Sequence, residues 1–228
     1  IPELPINAPS IFYNGTILQD TNNNVVLKNI ITANKKFFFN FLKQCLIHCP
    51  NTCIELHTKD TFYIITKEEF DDPVIKRENL SYIRSNLDDL YDLDILKVQF
   101  YTTNTHTISW LHNFAKSMEM DKIAKYFTSW SSYFELIPKN ASKGIMLDNL
   151  RKMPMYKDKI FIAVGDFDND IEMLLFADYG IAAQNATQNL KQVADIIGVS
   201  CDEHLLFHVI NKIIPNLDKL MITTLQTA

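Results

Sequence analysis

Glycine is scarce in this sequence: five in 228 residues, where average usage of about 7% predicts roughly sixteen. The five are Gly15, Gly144, Gly165, Gly180 and Gly198. A chain this sparing keeps glycine where a tight turn or a close approach requires it. Positive charge is also in deficit, with 22 basic against 27 acidic side chains and a net charge of −5. That balance excludes a general nucleic-acid binder, whose affinity comes from neutralising phosphates. Long apolar runs are missing. Runs such as 173–176 fall far short of the ~18 residues of a membrane span, so neither nucleic acid nor membrane is expected as a partner. No secretory signal is visible, and a chain that opens on Ile1 rather than Met is expected to have an upstream segment. The P-loop, the dinucleotide fingerprint and the nucleophile-elbow serine are absent as well.

What is present is the material of a folded protein. Hydrophobic residues make up 47% and charged residues 21%, which excludes a disordered chain and allows a substantial core. The length fits one large domain or two modest ones, at about 100–200 residues each. Four cysteines are too few for a disulfide scaffold in a chain of this size. Cys45, Cys49 and Cys53 recur every fourth residue, with His48 and His57 nearby. Pro50 interrupts any helix that would align the three thiols, and the spacing is not the paired C-x-x-C of a zinc site. The reading is therefore buried, reduced cysteines, and with it a cytoplasmic location.

Two regions of different character follow one another. In the first, Asn14-Gly15 is a turn signal between two short apolar runs, and Asn22, Asn23 and Asn24 form a polar loop. Residues 34–49 carry a helical stripe of Phe37, Phe38, Phe41, Leu42 and Cys45. A protein–protein scaffold built on the 37–41 face would need that stripe exposed, whereas such stripes are ordinarily core. Strands are expected at 54–57, 61–66, 95–102 and 133–137, with helical material at 73–90 and 110–126. This mixture indicates an α+β layer. After Pro138 the pattern alternates: helix 142–152, strand 159–164, helix 170–176, strand 179–183, helix 187–194, strand 196–199 and helix 203–214. Such alternation predicts an α/β unit with a parallel sheet and helices on both faces. Residues 221–228 read as a loose tail.

Charge is concentrated where the apolar strand 159–164 ends. Gly165 is followed by Asp166, Asp168 and Asp170. Ligands of open α/β sheets sit beyond the carboxyl ends of strands, so Asp166 projects into the expected site. Hard oxygen ligands at a strand tip suit Mg²⁺, which binds through one or two carboxylates and retains water. Asp168 reads as a solvated turn residue, and Asp170 is placed to cap the next helix. Ser142 caps another helix and leaves Lys143 in its first turn, against the helix dipole, an arrangement that gains sense if an anion binds there. Asn185 either orients a ligand or caps the helix that follows. His204 and His208 share a helix face, without the H-E-x-x-H pattern of a zinc site.

A lysine at a helix start, then G-D-F-D-N-D at Gly165 to Asp170, then G-I-A-A-Q-N-A at Gly180 to Ala186, resembles the haloacid-dehalogenase superfamily, and in particular its Cof-type sugar-phosphatase branch. The resemblance runs nearly end to end. P-S-I-F-Y-N-G-T-I-L resembles the passage from core to cap, and F-E-L-I-P-K-N-A-S-K-G the return to the core. It implies an α/β core of the family's Rossmann-like type from residues 1–15 and 138–228, with an inserted α+β cap at 16–137. It implies Mg²⁺ held by Asp166 with Asp170 as a supporting acid, phosphate contacts from Lys143 and Asn169, and weaker contributions from Asn185 and Asn14. Ala183-Gln184 stand where that family usually has Met-Gly.

One departure is larger. Enzymes of that family attack phosphorus with the first aspartate of D-x-D-G-T, and no such motif occurs here. Asp92-Leu93-Asp94 precedes its strand and lacks the Gly-Thr, so the chain supplies no catalytic nucleophile. It resembles such a protein without its opening segment, which would leave strand 159–164 with an open apolar edge. The resemblance thus implies a Mg²⁺-dependent phosphomonoesterase for a small phosphorylated metabolite such as a sugar phosphate, incomplete for catalysis as it stands. The alternative is a non-catalytic phosphate-binding or regulatory member of the same fold.

Overall fold

Asn14-Gly15 turns the chain as its residues dictate. Tyr13, Asn14 and Gly15 all take positive φ, at 50°, 54° and 89°, and Gly15 occupies the value least accessible to a side chain. The turn joins strands β1 (Ser10–Phe12) and β2 (Ile17–Gln19), and β3 (Val25–Lys28) completes a three-stranded antiparallel sheet. The computed structural model describes residues 7–31, 34–129 and 131–217. The expected tail at 221–228 lies outside them. The chain divides into two compact units, Ile1–Ala141 and Ser142–Ala228.

In the first unit α1 (Lys35–His48) begins where Asn34 Oδ1 accepts the Phe37 N–H at 3.2 Å and stops just before Pro50. Strands β4 (Cys53–His57) and β5 (Phe62–Ile64), the short helix α2 (Pro73–Arg77), β6 (Ile83–Arg84), β7 (Lys97–Tyr101), α3 (Thr105–Ser117), β8 (Ala124–Ser129) and β9 (Tyr133–Pro138) follow. The six strands form one mixed sheet in the order β6-β5-β4-β7-β9-β8. Strand alternation puts Ile54, Leu56, Val98, Phe100, Phe134 and Leu136 on the face that packs with Phe38, Phe41 and Leu42 of α1 and Leu111 of α3. Each such side chain, buried fully, contributes about 1.5–3 kcal/mol. The phenylalanine stripe is core, as its spacing indicated, and Cys45, Cys49 and Cys53 are buried free thiols.

Three stretches of the first unit depart most from the sequence pattern. The helix expected at 110–126 begins five residues earlier, because Asn104 Oδ1 accepts the His106 N–H at 2.9 Å, and Tyr126 lies in β8. Residues 73–90 hold one short helix, a two-residue strand and a 3₁₀ turn rather than continuous helix. Beyond the asparagine loop, β3 pairs with β2 although Val25, Val26 and Leu27 give too short an apolar run to mark it.

The second unit runs α4 (Lys143–Arg151), β10 (Ile162–Gly165), α5 (Ile171–Phe176), β11 (Tyr179–Ala182), α6 (Gln188–Val193), β12 (Ile196–Ile197) and α7 (Leu205–His208). Strands β10, β11 and β12 are parallel neighbours in that order, as the strand–helix alternation predicts. Past α7 the chain widens into a π turn at Val209–Ile213. Together the two units make an α/β fold with three sheets and seven α-helices among the described residues. None of those helices is long and apolar enough to cross a membrane.

Candidate functional site

The residues singled out around Gly165 do converge. A Cβ at position 165 would fall 2.5 Å from the Cβ of Asp170 and 2.9 Å from its Cγ. With no side chain there, the Asp170 carboxylate tucks under the end of β10, where the residue is only 4% exposed. Its Oδ2 accepts the N–H groups of Asp166 at 3.2 Å and Phe167 at 3.4 Å. Its Oδ1 lies 2.5 Å from Lys143 Nζ. A buried carboxylate is tolerated when charge and hydrogen-bond donors meet it, and this one has both.

Lys143 is held at this point by local geometry. Ser142 Oγ accepts the Ile145 N–H at 2.9 Å and starts α4. The lysine then opposes the positive end of the helix dipole, and Asp170 supplies the compensating charge. Next to it, Gly144 has no room for a side chain: a Cβ would sit 2.5 Å from the carbonyl carbon and oxygen of Glu172. Helices α4 and α5 therefore touch backbone to backbone. The lysine side chain is still 27% exposed, so its ammonium is accessible to an anion.

The three acids of the loop differ in their surroundings. Asp166 is exposed; its carbonyl accepts the Thr187 N–H at 3.1 Å, and its Oδ2 accepts the Cys201 thiol at 3.9 Å. Burial, and after it the Asp166 carboxylate, pushes the Cys201 thiol pKa up. Asp168 is the solvated turn residue expected from sequence, exposed in the 3₁₀ turn, and it also has partners. Its Oδ1 accepts the Thr187 hydroxyl at 2.5 Å and its Oδ2 the Asn189 amide at 3.1 Å, which fastens the loop to the start of α6. Thr187 can serve both ends because its oxygen also accepts the Leu190 N–H. Asp170 carries three protein donors, so it stands behind Asp166 and anchors both the loop and Lys143.

The asparagines are placed as follows. Asn169 is exposed in the 3₁₀ turn Asp168–Asp170. Asn185 Oδ1 accepts the Cys201 N–H at 3.0 Å, and the cap of α6 is Thr187 instead. Asn14 belongs to the first unit, half-buried in the β1–β2 turn. His204 and His208 lie at the start and end of α7. Thr187 and Cys201 were not singled out from sequence; the first was legible only as a helix start, and nothing marked the second.

Among the described residues no three His, Cys, Asp or Glu side chains are grouped to hold a metal ion. Asp166 and Asp168 are both exposed; Asp168 is engaged by a hydroxyl and an amide, and Asp166 by the weaker thiol donor of Cys201. One carboxylate completed by water and substrate oxygens is a donor set that Mg²⁺ accepts, so the residues fit that ion and not a closed multi-ligand site.

The chain is 34% identical over 145 residues to a chloroplastic endoribonuclease YBEY of Arabidopsis thaliana, covering 59% of this chain and 24% of that protein. It is 37% identical over 81 residues to the phosphatase YwpJ of Bacillus subtilis, covering 36% of this chain and 28% of that one. The matches thus span less than a third of either relative. A crystal structure from Thermotoga maritima superposes with a TM-score of 0.72 at 22% identity, covering 88% of this chain and 74% of that one. A haloacid-dehalogenase subclass IIB sugar phosphatase does so with 0.68 at 15% identity, covering 86% and 72%. Residues 1–210 match the haloacid dehalogenase-like hydrolase family as a whole. With the Gly165–Asp170 loop folded around its carboxylate and tied to the lysine of α4, the chain belongs to that family of haloacid dehalogenase-like hydrolases.

Proposed function

We propose that the protein is a Mg²⁺-dependent phosphomonoesterase of the Cof type, acting on a small phosphorylated metabolite such as a sugar phosphate. The observation that carries this reading is the connection of Lys143, through Asp170, to the backbone of Asp166. It brings a partly exposed cation and an exposed carboxylate to one strand tip. Asp166 would hold Mg²⁺, with Asp170 as the supporting acid behind it. Lys143 and Asn169 would contact the phosphoryl oxygens, and Asn185 and Asn14 would contribute less. The ion, when bound, would neutralise charge on the transferring group; the chain's own part is to position that group, which is most of what phosphoryl transfer asks of a protein. The three buried free cysteines support a cytoplasmic setting.

The same reading assigns residues 1–15 and 138–228 to a parallel core with helices on both faces, and 16–137 to a cap. The parallel β10-β11-β12 sheet and the separate six-stranded mixed sheet support its second boundary; its first falls in the β1–β2 turn, within a sheet of the first unit. The aspartate that would attack phosphorus is not found among the 228 residues as D-x-D-G-T, so turnover would depend on an aspartate outside them. The missing motif also favours a second reading, a non-catalytic phosphate-binding member of the family.

The test is hydrolysis of a chromogenic phosphate ester and a panel of sugar phosphates with Mg²⁺, by protein carrying an upstream D-x-D-G-T. Turnover that falls at least about 100-fold in Asp166→Ala supports the enzyme. Folded protein with that aspartate and no turnover across the panel selects the non-catalytic reading.

A further inference from the structure

The first unit contains a cavity of about 350 Å³ lined by Lys28, Asn29, Lys122, Pro138, Lys139 and Asn140. Ile30 and Ile123 complete its wall, and no carboxylate lines it. The volume is at the small end of the range for ligand pockets. In a chain whose acids outnumber its bases, three lysines and no acid among the described lining residues reverse the overall balance.

The lysines are not equivalent. Lys28 Nζ lies 2.6 Å from Asp94 and Lys122 Nζ 2.5 Å from Glu119. Both carboxylates stand outside the lining, so two of the three lysines are paired from outside the cavity wall. Such exposed pairs contribute only about 0–1 kcal/mol, and an incoming anion can share their cations. Lys139 is exposed and has no carboxylate partner among the described residues. Its uncompensated charge, beside the amides of Asn29 and Asn140, gives the cavity an excess of hydrogen-bond donors over acceptors.

We infer that this cavity is an anion site for a phosphate group, either inorganic phosphate or a small phosphate ester. Three lysines and two amides match the several oxygens and double charge of a phosphate. The aliphatic wall of Ile30, Ile123 and Pro138 accommodates a short carbon skeleton. The inference does not rest on the proposed hydrolysis, because every lining residue belongs to the first unit and Lys143 to the second.

Calorimetric titration of the whole chain with inorganic phosphate, and separately with glycerol 3-phosphate, tests it. In Lys143→Gln, which removes the cation of the other proposed phosphate site, one class of site remains. Adding Lys139→Gln weakens that class at least tenfold, and in the parent its affinity falls as salt rises. Tighter binding of inorganic phosphate identifies the free ion as the ligand, and tighter binding of glycerol 3-phosphate identifies the ester. Unchanged affinity on adding Lys139→Gln, or loss of all phosphate binding in Lys143→Gln, overturns the inference. If Lys143→Gln unfolds, Lys139→Gln alone decides: it breaks no ion pair and loses one equivalent of bound phosphate, and retention of that equivalent overturns the inference.

Discussion

Lys143 and Asp170 stand 27 residues apart in the chain, and their charged groups lie 2.5 Å apart. The pair is shielded, with side-chain exposures of 27% and 6%, and Asp170 also receives two backbone N–H groups. Removing one partner strands the other. Asp170→Ala is expected to cost about 3–5 kcal/mol and Lys143→Met about 2–3 kcal/mol, the smaller loss because both amides still face the carboxylate. Urea denaturation of the two single variants and the double variant checks this. Strictly additive losses would show that the contact contributes nothing of its own.

Gly165→Ala is expected to be disproportionately damaging for one methyl group. The new Cβ would lie 2.5 Å from the Asp170 Cβ, so either the strand end or the carboxylate must move. A loss of about 1–3 kcal/mol is expected, measured by the urea midpoint. Weaker phosphate binding should accompany it, because the Asp170 carboxylate is what holds Lys143.

Alkylation should sort the cysteines. Cys45 and Cys49 are buried, and burial pushes Cys49 up to about 11, so iodoacetamide should label Cys201 first. Burial and then Asp166 raise the Cys201 thiol, which lowers its thiolate fraction at pH 8 and slows the reaction. Asp166→Asn removes the nearby negative charge, lowers that pKa and should speed labelling a few-fold. An unchanged rate, followed by mass spectrometry, would show that the carboxylate does not act on the thiol.

A second ion pair predicts an acid-dependent loss of stability. Asp178 accepts the Phe161 N–H at 2.7 Å and meets both terminal nitrogens of Arg151, at 2.9 and 3.0 Å. The Phe161 N–H, and then Arg151, hold its carboxyl below the ordinary value of 3.8. Its folded pKa is therefore lower than its unfolded one. The contribution is fully present above about pH 4 and is lost as pH falls through the folded value. Both side chains are about a third exposed, so Asp178→Asn should cost only about 1 kcal/mol at pH 7. The difference between wild type and variant should close toward pH 2–3, as urea midpoints at several pH values would show.

The sequence was most legible where local chemistry decides. Asn34 and the phenylalanine stripe fixed α1, and Ser142 fixed the start of α4 with Lys143 in its first turn. Strand β10 followed from an apolar run ending at Gly165, and β11 from a short run ending before Asn185. Legibility failed where a partner far along the chain decides. Val25 to Leu27 form a strand because β2 lies beside them. Asp168 is the exposed turn residue its sequence suggested, but its partners, Thr187 and Asn189, lie beyond β11 and were not legible. The difference at α3 is of another kind: Asn104 caps the helix locally, five residues before the expected start.

Gly144 leaves a mechanical signature. Because the backbones of α4 and α5 meet with no side chain between them, the two helices cannot slide past one another without a steric clash. The ammonium at the head of α4 and the acidic loop that feeds α5 thus behave as a single jaw whose gap is set before anything enters it. Closing on a ligand would require neither part to travel toward the other.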